Sequence, residues 1–454
     1  MSVDTICALA TAPGGALGII RISGAQSLEI LSRIFSKDLT NAQPNTIHYG
    51  HIIESDAVSQ HQDIVDEVLV SVFRTPHSYT GEDCAEISCH GSRYILNKVL
   101  ALLLQHGCRT AEPGEFTKRA YLNGKLDLSQ AEAVADLIAS SNKATHQLAM
   151  SQLRGGISSE LSQLHDQLLK LTSLLELELD FSDHEDLEFA DRTELSSIAN
   201  KIDKHIAKLS QSFKLGQAIK QGIPVAIVGK TNVGKSTLLN RLLHDDRAIV
   251  SDIHGTTRDT IEDTIDLQGI TFRFIDTAGI RQTSDQVEQI GIERTYAAIN
   301  KARIVIWMVD EEPSQEELSK IETFAENKKL IIVRNKIDKA ENKPFTLVKY
   351  PLIEISAKHN QNIDLLEQSI YQAADIPALS DSDIIITNAR HYDALIRARQ
   401  AIQRVVNGLQ QQLSGDLLSE DLRQALDILS EITGGQITPN EVLGNIFKNF
   451  CVGK

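Results

Sequence analysis

The stretch from 224 to 237, PVAIVGKTNVGKST, constrains this chain more than any other. An apolar run leads into Gly229, four residues intervene, and Gly234, Lys235 and Ser236 open the helix-like run TLLNRLL. Strand, glycine-rich turn and helix stand in the order that makes a phosphate cradle. Glycines lack a Cβ, so backbone N–H groups can turn inward on a β-phosphate, and the helix N-terminus adds a partial positive charge. Lys235 supplies a cation for the β- and γ-phosphates, and the Ser236 hydroxyl is placed to ligate Mg²⁺. Val233 and Thr237 complete the loop around them.

Three later elements specify the nucleotide. Asp276, Thr277, Ala278 and Gly279 end the run ITFRFI, giving a carboxylate for the metal's outer shell and a glycine N–H for the γ-phosphate. Asn335, Lys336, Ile337 and Asp338 follow LIIVR, and Ser356, Ala357 and Lys358 follow LIEI. Guanine presents a 2-amino group and N1–H, both donors, so a carboxylate at Asp338 accepts from guanine and repels adenine's edge. The four elements together predict GTP binding. Between cradle and second phosphate contact lies Ser251, Asp252, Ile253, His254, Gly255, Thr256, Thr257, Arg258 and Asp259, where a threonine can close over γ-phosphate and Mg²⁺. After the Asp276–Gly279 element a Ras-type protein carries a water-orienting glutamine, but here Ile280 stands. Another group must position the water, and the acid- and amide-rich RQTSDQVEQIGIERT offers candidates.

The 454 residues leave room for about three domains of roughly 150 residues. The formal charge of −16 argues against a broad basic face, so any contact with RNA is expected to be local or shared with a partner. Five cysteines show neither paired nor zinc-ligand spacing. No leader is evident and no apolar run reaches about 18 residues, which predicts a cytoplasmic protein without a membrane span.

Residues 1–118 mix the strand-like runs LGIIRISG, DEVLVSVF and CAEISCHG with the helical ILNKVLALLLQHG, a small α/β domain. From 119 to 215 the pattern is helical: one long helix over DLSQAEAVADLIASSNKATHQLAMSQL with Asp127 or Ser129 as N-cap, then SSELSQLHDQLLKLTSLLELELDF, then a helix over 192–214. Residues 216–378 form a doubly wound, mostly parallel sheet domain, and 379–454 turn helical again. One discontinuous helical domain with the nucleotide domain inserted is the economical arrangement; two separate helical pieces are the alternative. The acidic DFSDHEDLEFADR reads as a solvated turn, since it lacks glycine-timed ligand spacing.

GTTRD, DTAGIRQTSDQVEQIGIER, NKID and SAK, with TAPGGALGIIRISG, YTGEDCAEISCHG, PGEFTKRAYLNGKLDLSQAEAVADLI and the terminal FCVGK, resemble the bacterial tRNA-modifying GTPases of the MnmE (TrmE) family along nearly the whole chain. The departures are Lys230, Thr231 and Val233 in a cradle usually written GRPNAGKS, and HGS for HGG. The resemblance implies a potassium-dependent GTPase whose nucleotide domains pair across a homodimer, with Asn232, Ser251, Ile253 and Thr256 holding K⁺ where an arginine finger would otherwise sit. It implies Mg²⁺ on Ser236 and Thr257, Glu288 orienting the water, and Arg258 assisting hydrolysis. It further implies a one-carbon donor, 5-formyl- or methylene-tetrahydrofolate, bound by Arg21, Glu86, Lys125 and Lys454 of a dimerising N-terminal domain. The partner would be the FAD protein MnmG in a heterotetramer-type complex that adds an aminomethyl-type group to carbon 5 of the wobble uridine of tRNA. Cys451 in FCVGK is either a catalytic thiol or a small apolar filler. The competing expectation is a regulatory ribosome-assembly GTPase of the Era type, which would carry a basic KH-like appendage; none is evident.

Overall fold

The computed structural model describes residues 4–55, 62–180, 192–245, 263–275, 297–339, 345, 350–377, 383–435, 440–448, 450, 451 and 453. The chain divides into two compact units: Met1–Ala139 with Ala149–Ile206 and Asp393–Lys454, and Ser140–Leu148 with Ala207–Tyr392.

The first unit opens with a six-stranded sheet of order β3-β4-β5-β2-β1-β6, built from β1 (Ile6–Leu9), β2 (Leu17–Ser23), β3 (Thr46–Ser55), β4 (Gln62–Phe73), β5 (Cys84–His90) and β6 (Arg109–Thr110). All neighbours are antiparallel except β1 and β6. Period-two alternation explains which face is covered: Val68, Val70 and Val72 of β4 are buried while Leu69 between them is 47% exposed. That covered face packs with Leu28 and Leu31 of α1 (Ser27–Ser32) and with Leu96, Val99 and Leu103 of α2 (Arg93–Gln105). The three strands expected from the sequence are present, and β1, β3 and β6 are additional. β1 is short, and β3 hides its pattern behind two histidines and Gly50, whose missing Cβ makes room for the Phe35 ring.

A run of helices whose residues are divided between the two units follows α3 (Glu115–Leu122). The single long helix expected over 126–153 is two: α4 (Leu128–Ala139) and α5 (Lys143–Leu153). Asn142 restarts the helix, its Oδ1 accepting from Thr145 N at 2.8 Å. Asp127, not Ser129, caps α4, because Asp127 Oδ1 accepts from Gln130 N at 2.8 Å while Ser129 lies inside the helix. α6 (Gly156–Asp180) and α7 (Arg192–Gln221) follow, then α8 (Lys235–Asp245), α9 (Gln315–Phe324) and α10 (Ile363–Ala373) of the second unit, and α11 (Ala389–Gln410), α12 (Gly415–Thr433) and α13 (Asn440–Phe447). Helices from both sides of the nucleotide motifs meet in the first unit: α6 packs on α12, and Arg399 of α11 pairs with Asp203 of α7 at 2.9 Å. α7 runs past its expected end at 214 to Gln221, and within that extension Gly216 allows a close approach, since a Cβ there would collide with the Ile386 carbonyl. The acidic stretch 181–191 lies outside the described residues.

The second unit is built on a sheet of order β12-β11-β10-β7-β9-β8: β7 (Ile223–Gly229), β8 (Asp263–Leu267), β9 (Ile270–Phe274), β10 (Ile304–Val309), β11 (Lys329–Arg334) and β12 (Leu352–Glu354). Only β8 runs antiparallel to its neighbour. β10, IVIWMV, is buried at every position, as a parallel strand covered on both faces must be. One face packs Ile227, Ile306 and Val333 against Leu238 and Leu366, and the other packs Val228, Trp307 and Ile332 with Ile299 and Ile321. Residues 140–148 belong here, with Ala144 and Leu148 in the core, Ala144 N donating to Gly269 O at 3.0 Å, and Asn142 Nδ2 donating to Thr271 Oγ1 at 2.7 Å. Asn142→Ala removes both the cap and the strand contact and is expected to cost about 1–2 kcal/mol, read as a shift in the denaturant midpoint.

Candidate nucleotide site and N-terminal pocket

The cradle lies where β7 ends and α8 begins. Gly229 (φ +149°) and Gly234 (φ +105°) hold backbone conformations that disfavour a side chain, and a Cβ on either would collide, with the Met308 carbonyl and with Asn335 Nδ2. Asn232 adopts φ +61° at the exposed tip, a conformation asparagine tolerates. Lys235 folds back over the loop, its Nζ donating to the Gly229 and Lys230 carbonyls, each at 2.7 Å. Burial pushes its ammonium below the usual lysine range, so an anion in the cradle would stabilise its charge. Ser236 is half-buried in the first turn of α8, and Thr237 is exposed beside it.

Asn335 ties the cradle to the base-reading loops. It is 4% exposed, its Nδ2 donates to the Val233 carbonyl at 2.8 Å, and its Oδ1 accepts from Ala357 N at 3.0 Å. Buried Ser356 donates to Asp338 Oδ1 at 2.7 Å, and that hydroxyl holds the Asp338 carboxyl below its ordinary range. An ionised, oriented carboxylate results. The Lys358 carbonyl accepts from Arg241 of α8 at 3.4 Å. The structure thus brings together Asn232, Val233, Gly234, Lys235, Ser236 and Thr237 with Asn335, Lys336, Asp338, Ser356, Ala357 and Lys358. Ser251 through Arg258, Asp276 through Gly279, and Glu288 lie outside the described residues.

Two contacts at the site have no signal in the local sequence. Lys336, at φ +67°, pairs with Asp310 at 2.9 Å, and Lys230 pairs with Glu317 at 2.7 Å. Glu317 also closes a capping box with Ser314 at the start of α9. That signature, Ser followed three residues later by Glu, is legible in SQEE.

In the first unit Arg21 and Glu86 face each other across β2 and β5, in register. Arg21 Nε and an Nη both donate to Glu86 Oε1, at 2.9 and 2.7 Å, and the other Nη donates to the Gly453 carbonyl at 3.1 Å. They line a cavity of about 90 Å³ with Phe73, Tyr79, Thr80 and Cys84. Lys125 donates to the Pro76 carbonyl at 2.9 Å and does not line that cavity. Lys454 lies outside the described residues; Cys451 is exposed, with its carbonyl accepting from Gly114 N at 3.2 Å.

The family model for the MnmE helical domain matches residues 128–451, and that for the GTP-binding protein TrmE N-terminus matches 5–125. A tRNA modification GTPase MnmE of Phocaeicola vulgatus is 55% identical, covering 99% of each chain. The chain belongs to the MnmE family. A second relative of that description, from Bacteroides thetaiotaomicron, is 53% identical over 100% of both chains. Among solved structures the G domain of the T. maritima FeoB iron transporter aligns with 34% of this chain and 98% of its own, at 23% identity and a TM-score of 0.26. That score is too low to support an argument. Among the described residues no helix is long and apolar enough to cross a membrane.

Proposed function

We propose that this MnmE-family chain hydrolyses GTP to drive the modification of tRNA. The observation that carries the reading is Asn335, which hydrogen-bonds the phosphate cradle with one end of its amide and the Ala357 loop with the other, beside the oriented Asp338. One buried side chain therefore sets the distance between triphosphate and base. Asp338→Asn tests the base: an amide donates where guanine also donates, so GTP turnover falls while turnover of xanthosine triphosphate, which has a carbonyl at position 2, rises. Unchanged preference would contradict the assignment.

For hydrolysis, Lys235 and the N–H groups of the cradle face the triphosphate, and the Ser236 hydroxyl fits a hard cation such as Mg²⁺, with Thr257 as its second protein ligand. When bound, that ion would neutralise charge between β- and γ-phosphates. K⁺ would take Asn232, whose raised φ lifts it at the loop's tip, with Ser251, Ile253 and Thr256. A cation at that place substitutes for an arginine finger, worth about 10³–10⁵ in rate. Arg258 and Glu288 are assigned to transition-state charge and to the water. GTP turnover faster in KCl than in NaCl at equal ionic strength is the expected result, and equal rates would remove the potassium role.

The finer chemistry is one-carbon transfer to the wobble uridine with tetrahydrofolate as donor, a homodimer as the working form, and the FAD protein MnmG as partner. The Glu86 carboxylate, held by Arg21 at 2.7 Å, suits a pterin's amino-pyrimidine edge, and a basic pair suits a folate's glutamate tail. A cavity of about 90 Å³ is small against the roughly 300–1,000 Å³ of ligand pockets, so other walls must complete the site. Lys125 and Lys454 are assigned to the same ligand, and Cys451 to a thiol step. Titration of 5-formyltetrahydrofolate into wild type and Arg21→Ala tests the pocket, and mass spectrometry of tRNA nucleosides from cells lacking the chain tests the modification.

A further inference from the structure

We propose that Asp310 is a positioning residue for the guanine site, holding Lys336 in place before the nucleotide arrives. The inference rests on the guanine reading of Asp338 and adds a residue from a separate strand end. β10 and β11 run parallel with Val309 opposite Arg334, and Asn335 N donates to the Val309 carbonyl at 2.8 Å, so the residues after each strand emerge side by side. Lys336 then turns left-handed, φ +67°, a conformation that a lysine keeps only where its surroundings impose it. Two backbone bonds impose it, Ile337 N to the Ile355 carbonyl and Lys339 N to the Lys336 carbonyl. They fix the backbone and leave the side chain free to rotate. Asp310 fixes the side chain, with Oδ2 2.9 Å from Lys336 Nζ.

Lys336 shares a short loop with Asp338, the carboxylate assigned to the base's edge, so its alkyl stem is a long flexible apolar surface beside that site. A free lysine loses much rotamer freedom on packing there, and a lysine already held loses less. The nearby acids differ in which cation they bond directly. Glu317 takes the Lys230 ammonium directly at 2.7 Å, with Asp310 and Glu311 adding charge attraction from farther off, whereas the direct partner of Asp310 is Lys336 at 2.9 Å.

The opposing effect is electrostatic. Asp310 is negative and near a site for a polyanion, so deleting its charge alone would tighten binding. The two effects predict opposite signs, which makes the test decisive. The full-length chain is titrated with the fluorescent analogue mant-GDP, alongside GTP turnover at saturation. Asp310→Asn is expected to weaken mant-GDP about two- to fivefold, the range an exposed ion pair supports, with kcat at saturating GTP unchanged. Asp310→Glu, which keeps the charge and the reach, recovers most of the loss. Glu311→Gln removes the same charge without the pair and leaves binding unchanged or tighter. In a Lys336→Met background Asp310→Asn produces no further loss. Tighter binding by Asp310→Asn, or losses that add in the double variant, would overturn the proposal. Failure of the wild type to bind mant-GDP would instead overturn the guanine-site reading, and this inference with it.

Discussion

Replacing Lys235 with alanine is expected to lower kcat for GTP hydrolysis by about 10²–10³ at saturating nucleotide, the cost of losing one preorganised charge-stabilising group. The loop geometry explains why the residue is ready. Its Nζ rests on two loop carbonyls at 2.7 Å, Gly229 and Lys230, inside a turn whose glycines leave no room for other side chains. Burial disfavours the charged form there, so the ammonium gains most when phosphate oxygens replace the carbonyls. Arginine is not expected to rescue, because a planar guanidinium cannot take the place of a compact point charge on that short return. Folding is little affected, since the loop carbonyls face solvent or nucleotide once the lysine is gone. A kcat within tenfold of wild type, with a normal thermal transition, would reject the role.

What the sequence made legible follows from how local each feature is. The cradle, the Asn335–Asp338 loop and the Ser356–Lys358 loop each follow a largely apolar strand, interrupted only by Glu354 in the last, and all three strands appear within a few residues of their expected bounds. Those motifs carry their own backbone demands, such as the positive φ at Gly229 and Gly234, so the pattern and the geometry are one fact. Non-local features were not readable. That Asn335 reaches back to Val233 depends on the parallel register of β7, β10 and β11, and the Asp310–Lys336 pair depends on the same register. The break at 140–142 escaped notice because DLSQAEAVADLIASSNKATHQLAMSQL contains neither proline nor glycine. A serine pair and Asn142 suffice, once Thr271 and Gly269 offer the restarted helix partners on a sheet more than a hundred residues away. Arg119 is the clearest case. In PGEFTKRAYLNGK it reads as one more surface cation on an amphipathic helix, yet its side chain is 4% exposed.

Arg119→Ala is expected to destabilise the first unit by about 3–5 kcal/mol, because it strands partly buried carboxylates. Its guanidinium lies 2.9 Å from Asp4, 3.1 Å from Glu115 and 3.2 Å from Glu82, and also donates to the Asp4 carbonyl at 3.0 Å. Arg109 pairs with Asp4 at 2.7 Å and Glu115 at 2.6 Å, so it offsets part of the loss for those two, whereas Glu82 keeps the Ser23 hydroxyl at 2.8 Å and, among the described residues, no second ion pair. Glu82→Gln in the Arg119→Ala background should therefore recover some stability, while alone it should cost some. Acid provides the independent check. Burial raises both carboxyls, but the Arg109 hydrogen bond and the charge of Arg119 at Asp4, and the hydrogen bonds from Arg109, Glu112 N and Arg119 at Glu115, outweigh it and hold them below their ordinary values of 3.8 and 4.5. Carboxyls depressed in the folded state contribute fully above their unfolded values and lose that contribution as pH falls through the folded ones. Wild-type stability should therefore hold from neutrality to about pH 5 and then decline on further acidification. Arg119→Ala, starting lower, should decline less steeply, because its carboxyls are depressed less. Parallel declines in urea midpoints across that window would show that the network contributes packing alone and no charge-dependent stability.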